Sequence, residues 1–175
     1  MLNNEKVKRA ESQVKRYLEE NLLFKIEPKP LILDLFNKNA DESLALAKDI
    51  LQNNKSDLWV VVTSYYAMFY IANAVLYKKG FKVGNTSAHA ITANSLIVYV
   101  KDSLKKTLLE EYETAMNDAQ ATMKTEDLIE SYFHEKTKRS EFQYNMDAEL
   151  KRTKAETSFK RAKTFVFAMK RLLDK

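Results

Sequence analysis

Twenty consecutive residues, Leu58 to Tyr77 (LWVVVTSYYAMFYIANAVLY), carry no charge in a chain where 30% of residues are charged. A helix with this pattern has no face for water and must be enclosed. Around it the pattern changes to one-sided stripes. From Glu5 to Phe24, Val7, Ala10, Val14, Tyr17, Leu18 and Leu22 recur at steps of three and four, which predicts a first helix with Lys and Glu on its wet side. Pro28 and Pro30 end it. Pro30 to Asn54 reads as a second helical stretch. Leu44, Ala47, Ile50 and Leu51 mark one face, and Asp41 and Glu42 are placed for a first turn. Asn53-Asn54-Lys55 is a turn. Ser56 is the expected N-cap of the uncharged helix, and Gly80 stands where a left-handed C-terminal residue belongs.

Phe81 to Ser87 (FKVGNTS) has no period and is expected to be a mobile loop, with Ser87 capping a helix from Ala88 to Val100. Ile91, Leu96, Ile97, Tyr99 and Val100 are the apolar positions of that helix. A further helix is predicted from Ser103 to about Lys124, on Leu104, Leu108, Tyr112, Ala115 and Ala119. Thr125-Glu126-Asp127 suggests a fresh cap or a kink before Leu128 to His134, and a polar connection follows from Glu135 to Asn145. The last helix is expected from about Met146 to Leu173. Its seam, Ala155, Phe159, Ala162, Val166, Met169 and Leu173, alternates steps of four and three and suits packing along a neighbouring helix.

Composition agrees with this all-α reading. Two Gly and two Pro are too few breakers for anything but long helices with short turns. The expected division is an N-terminal helical appendage over residues 1–30 and a bundle domain over 31–175, the appendage packing on the bundle or on a second subunit. The absence of Cys excludes disulfides and thiolate metal sites and fits a reducing cytoplasm. The charged start MLNNEKVKRA has no apolar run behind it, so no secretory signal is expected. The uncharged stretch has the length of a membrane span. Its tyrosines, however, lie near its middle rather than at its ends, and the surrounding stripes would lose their partner, so it is read as a buried helix with no membrane.

Net charge is +5, unevenly spread. Lys136 to Lys175 holds twelve basic and five acidic residues, while the rest of the chain is slightly acidic. One reading is a solvated helix face; the other is a phosphate-binding surface. The segment KRSEFQY mixes Lys138 and Arg139 with Phe142 and Tyr144, a combination that can hold phosphates and stack a base.

No complete catalytic motif is present. There is no glycine-rich phosphate loop and no nucleophile elbow. His89 has no second His or carboxylate at helical spacing, so capping or core packing competes with any catalytic role, and no metal or cofactor is expected. His134 stands at a helix end, where partial positive charge is welcome.

SYYAMFYIANAVLYKKG, residues 64–80, resembles the signature helix of the HEPN domain family (higher eukaryotes and prokaryotes nucleotide-binding). A His opening the next helix belongs to the same pattern, and His89 stands there. Lys138 to Tyr144 resembles the Arg-x-x-x-x-Tyr element found before the last helix of many members. The resemblance covers roughly residues 40–173. It implies an up-and-down bundle of four to five helices, often homodimeric and often encoded beside a small nucleotidyltransferase in toxin–antitoxin pairs.

Many members are metal-independent ribonucleases using Arg-x(4–6)-His. Here no Arg lies at that distance before His89 or His134; Arg139 follows His134 and is itself followed by Phe142 and Tyr144. The resemblance therefore implies a nucleotide or RNA contact at Lys138, Arg139 and Tyr144, with Tyr65, Tyr66, Asn73 and His89 near the bundle groove. For the two tyrosines the alternative is core packing with satisfied hydroxyls. Three functions stay open. The first is a non-catalytic nucleotide- or RNA-binding module acting with a nucleotidyltransferase partner. The second is a ribonuclease with displaced residues, Arg139 with His134 or His89. The third is a structural dimerisation module.

Overall fold

The computed structural model describes residues 2–132 and 141–174, with side chains described for 2–124 and 151–174. The elements are α1 (Asn4–Glu19), β1 (Leu23–Lys25), α2 (Pro30–Gln52), α3 (Asp57–Lys78), β2 (Phe81–Val83), α4 (Ala88–Tyr99), α5 (Lys106–Tyr132) and α6 (Glu141–Leu173). A short 3-10 turn, Lys101–Ser103, joins α4 to α5. The fold is the expected all-α bundle with one small two-stranded ribbon.

The uncharged helix α3 is its axis. By length and composition alone α3 could cross a membrane, but the bundle buries most of it. It packs chiefly on α2 and α6, and also on α5 and α4. Ala67, Ala72 and Ala74 are fully buried, as are Ala40 and Ala47 of α2, so short side chains let the helices approach closely. Met68, Ile71 and Leu76 fill the remaining space, each contributing about 1.5–3 kcal/mol by its burial.

Both ends of α3 stop as anticipated. The Ser56 hydroxyl accepts from the Trp59 N–H, and Gly80 takes φ +89°, a left-handed conformation that an L side chain adopts only with strain. Gly80 also starts the ribbon: its carbonyl accepts from the Ile26 N–H at 2.8 Å.

The ribbon corrects the expected loop. β1 and β2 pair antiparallel with Leu23 opposite Val83, Phe24 opposite Lys82 and Lys25 opposite Phe81. Gly84 closes it by donating to the Leu22 carbonyl; a Cβ at Gly84 would lie 2.9 Å from that oxygen, so only glycine fits. The first helix accordingly ends at Glu19, with Asn21 at φ 54°, rather than running to Phe24. Ser87 does stand at the N-cap position of α4, but its backbone is left-handed and its side chain caps nothing.

Two further boundaries differ, and so does one first-turn reading. α2 begins at Pro30, so Asp41 lies mid-helix and pairs with Lys170 at 2.6 Å instead of serving a first turn. α5 is continuous through Thr125-Glu126-Asp127. α6 begins at Glu141, five residues before Met146.

α6 runs parallel to α3. Arg152 donates to Asp57 and to the Leu51 carbonyl at one end, and Lys78 donates to the Leu173 carbonyl at the other. Asp118 of α5 receives Lys154 and Arg161 from α6. The predicted seam is the buried one, with Ala155, Ala162, Val166 and Met169 enclosed.

α1 packs on α4. Val14, Tyr17, Leu23 and Ile91 form a second apolar cluster, Asn94 donates to the Tyr17 hydroxyl, and Lys6 pairs with Glu113.

Candidate functional site

The signature residues meet where α4 starts beside the middle of α3. Tyr65, Tyr66, Phe69 and Tyr70 stand at i, i+1, i+4 and i+5, so they share one side of α3. β2 carries the chain back along α3, which brings the second residue of α4, His89, onto that side. The His89 ring lies 4.7 Å from Phe69, 5.5 Å from Tyr65 and 6.1 Å from Tyr66, centroid to centroid. The Tyr65 hydroxyl and His89 Nδ1 are 2.7 Å apart.

Two ionisation shifts define this pair. Burial pushes the Tyr65 phenol well above its ordinary value, so it keeps its proton. Burial also lowers the His89 pKa, so the imidazole is neutral at pH 7. A protonated phenol and a neutral imidazole are matched when the O–H donates to Nδ1 and the ring proton sits on Nε2. Among the described residues His89 Nε2 has no hydrogen-bond partner.

Behind Tyr65 stands Tyr112 of α5, fully buried, its ring 5.9 Å from that of Tyr65 and 5.4 Å from that of Phe165. The Tyr112 hydroxyl is near enough to draw the Tyr65 phenol partly back down. It has no hydrogen-bond partner among the described residues.

The anticipated site residues divide into three groups. Tyr65 is a core residue at 1% exposure whose hydroxyl is satisfied by His89, while Tyr66 and His89 are half-buried at the open edge. Asn73 sits two turns further along α3 and is buried; its amide donates to the Phe69 carbonyl and to the Thr92 hydroxyl. It clamps α4 onto α3 and so fixes where His89 stands. His134, Lys138 and Arg139 lie outside the described residues, and Tyr144 is on α6 with its side chain likewise outside them. Phe69, Tyr70 and Tyr112 were not anticipated. The spacing of four, Tyr65 to Phe69 and Tyr66 to Tyr70, was the available signal for the first two. The sequence marked Tyr112 only as a stripe position of its own helix, and nothing there placed it against the pair.

Chemically the edge offers half-buried aromatic faces and one neutral, half-buried imidazole whose Nε2 is unpaired among the described residues. That suits stacking with a base and one hydrogen bond to it, or acceptance of a proton. Among the described residues no three His, Asp or Glu side chains converge as a metal site would need.

The lowered His89 pKa sets a pH dependence. Above its ordinary value near 6.5 both folded and unfolded chains hold the ring neutral. Below it the unfolded chain takes up a proton that the folded chain resists, so stability falls as pH falls. Melting temperature should therefore drop between pH 7 and 5.5 in the wild type and drop less in His89→Asn. Parallel curves for the two would refute the assignment.

A family model described as HEPN domain matches residues 34–172, from within α2 almost to the end of α6. Comparison with curated proteins gives no match.

Proposed function

The chain belongs to the HEPN domain family, and from that premise we propose that it is a nucleotide- or RNA-binding module whose binding edge is built from Tyr66, Phe69, Tyr70 and His89. The observation that carries this reading is the Tyr65–His89 hydrogen bond, which holds a neutral imidazole at the edge of an aromatic cluster. Stacking faces beside a single directed donor are what an unpaired base needs. Lys138, Arg139 and Tyr144 are proposed to supply the phosphate and further base contacts. The module works in the cytoplasm with a partner, a minimal nucleotidyltransferase in a toxin–antitoxin-like pair. It is also proposed to be a homodimer. Leu31, Leu35 and Leu46, all at least half exposed along one side of α2, support that.

One observation favours a second reading, the metal-independent ribonuclease. His89 is neutral and its Nε2 has no partner among the described residues, as a proton-transfer group requires.

The test is fluorescence anisotropy of labelled single-stranded RNA, titrated with wild type, Tyr66→Ala and His89→Ala, together with a metal-free cleavage assay. Binding that weakens several-fold in both variants, without cleavage, fits the module. Cleavage lost in His89→Ala establishes the ribonuclease. Intact affinity in both variants removes the proposed edge.

A further inference from the structure

α6 presents a second surface on the side away from its seam. From Thr157 to Leu173 it has no acidic residue and five basic ones. Two of these are engaged, Arg161 with Asp118 and Lys170 with Asp41. Lys160, Lys163 and Arg171 are exposed and have no acidic partner among the described residues; Lys163 lies 5.8 Å over the Phe159 ring. In their midst Phe167 stands 68% exposed. It is four residues from both Lys163 and Arg171 and seven from Lys160, so all four side chains share one face. The span from Lys160 to Arg171 is roughly 16 Å at the helical rise.

Phe167 is among the few large apolar side chains that the bundle leaves exposed, and it is the one set among cations. A single ring is too little apolar area to hold a membrane or a partner helix, both of which need a continuous stripe. One ring is what a single base requires, and cations one turn to either side are placed for the phosphates that flank it. At the C-terminal end of the face, Arg171 also lines a pocket of about 250 Å3 with Ser103 and Lys105. A second pocket of about 260 Å3, sharing Ser103 and Leu172, adds Lys78 and Lys79. Basic residues thus line both pockets at this end of the bundle.

We infer that the outer face of α6 is a contact surface for single-stranded nucleic acid, with Phe167 as the stacking platform and Lys160, Lys163 and Arg171 as phosphate contacts. This surface is distinct from the edge at His89, and the inference rests on the RNA-binding reading. Stacking on one ring with phosphates alongside does not require a 2′-hydroxyl, so short poly(U) and poly(dT) should bind this face comparably.

The experiment is anisotropy titration of a short fluorescein-labelled poly(U) with wild type, Phe167→Ala, Phe167→Tyr, Lys160→Gln and His89→Ala. Phe167 is exposed, so its variants keep the fold. Phe167→Ala should weaken binding by about fivefold or more while Phe167→Tyr restores it. Lys160→Gln should reduce the slope of log affinity against log salt by about 0.7.

If wild type binds and Phe167→Ala binds equally well, this surface is overturned while the RNA-binding reading stands. If Phe167→Ala weakens binding and His89→Ala does not, the α6 face is supported and the His89 edge is refuted. Wild type that binds no oligonucleotide overturns both. Phe167-dependent binding to anionic phosphatidylserine vesicles without binding to poly(U) assigns the face to lipid and overturns the inference.

Discussion

Phe165→Ala is expected to lower the unfolding free energy by about 3–5 kcal/mol, the cost of emptying a fully enclosed aromatic position. Phe165 is inaccessible on α6, and its ring packs on Tyr112 of α5 at 5.4 Å. Tyr112 packs in turn on Tyr65, and Tyr65 holds His89. The contacts run from the deepest part of the core to the candidate edge through three aromatic rings. A cavity at Phe165 removes the support behind Tyr112, so the change should reach the site as well as the stability. Urea denaturation measures the first effect. The ring 15N chemical shifts of His89 measure the second. A loss under about 1.5 kcal/mol would mean that the bundle collapses into the space. An unmoved His89 signal would mean that the aromatic contacts do not couple core to edge.

The sequence was most informative where one physical requirement dominates. Leu58 to Tyr77 has no wet face, and burial is the only place for such a helix outside a lipid bilayer. Its Ser56 and Gly80 boundaries follow from local backbone chemistry and could be read from neighbouring residues. The ribbon was not legible, because three residues are too few to show an alternation and each strand depends on a partner more than fifty residues away. Thr125-Glu126-Asp127 is a sound local cap signal, yet α5 continues through it; a capping preference of about 1 kcal/mol is easily outweighed by the rest of a long helix. The pairing of Tyr65 with His89 could be suspected from the order of motif residues but not placed, since it depends on the length of the returning ribbon.

Phe165 and Phe167 make the same point within one helix. Both flank Val166 of the seam, and composition cannot tell them apart. A step of one residue turns a side chain by about 100° around the helix. From Ala162 and Met169 the inward direction is fixed, and Phe165 lies near it while Phe167 points away. The arithmetic was available in the sequence once the seam was known. It leaves α6 with two roles, one side closing the core and the other carrying cations around an exposed ring.

Tyr65→Ala is expected to cost about 3–5 kcal/mol, and Tyr65→Phe about 1–2 kcal/mol, and the difference between the two separates packing from hydrogen bonding. Tyr65 is buried and touches the rings of Tyr66, Phe69, His89 and Tyr112, so truncation to Ala removes all of these contacts. Replacement by Phe keeps the ring and removes only the hydroxyl. His89 Nδ1 is then left facing an apolar ring, and the neutral imidazole has lost its directed donor. The expected signature is a modest fall in stability with a changed Nδ1 resonance and weaker RNA binding, because nothing then fixes the proton on Nε2. A Tyr65→Phe protein as stable as wild type, with unchanged His89 resonances, would show that the hydroxyl is spent elsewhere. The edge would then have no preset hydrogen-bond donor, and binding there would depend on stacking alone.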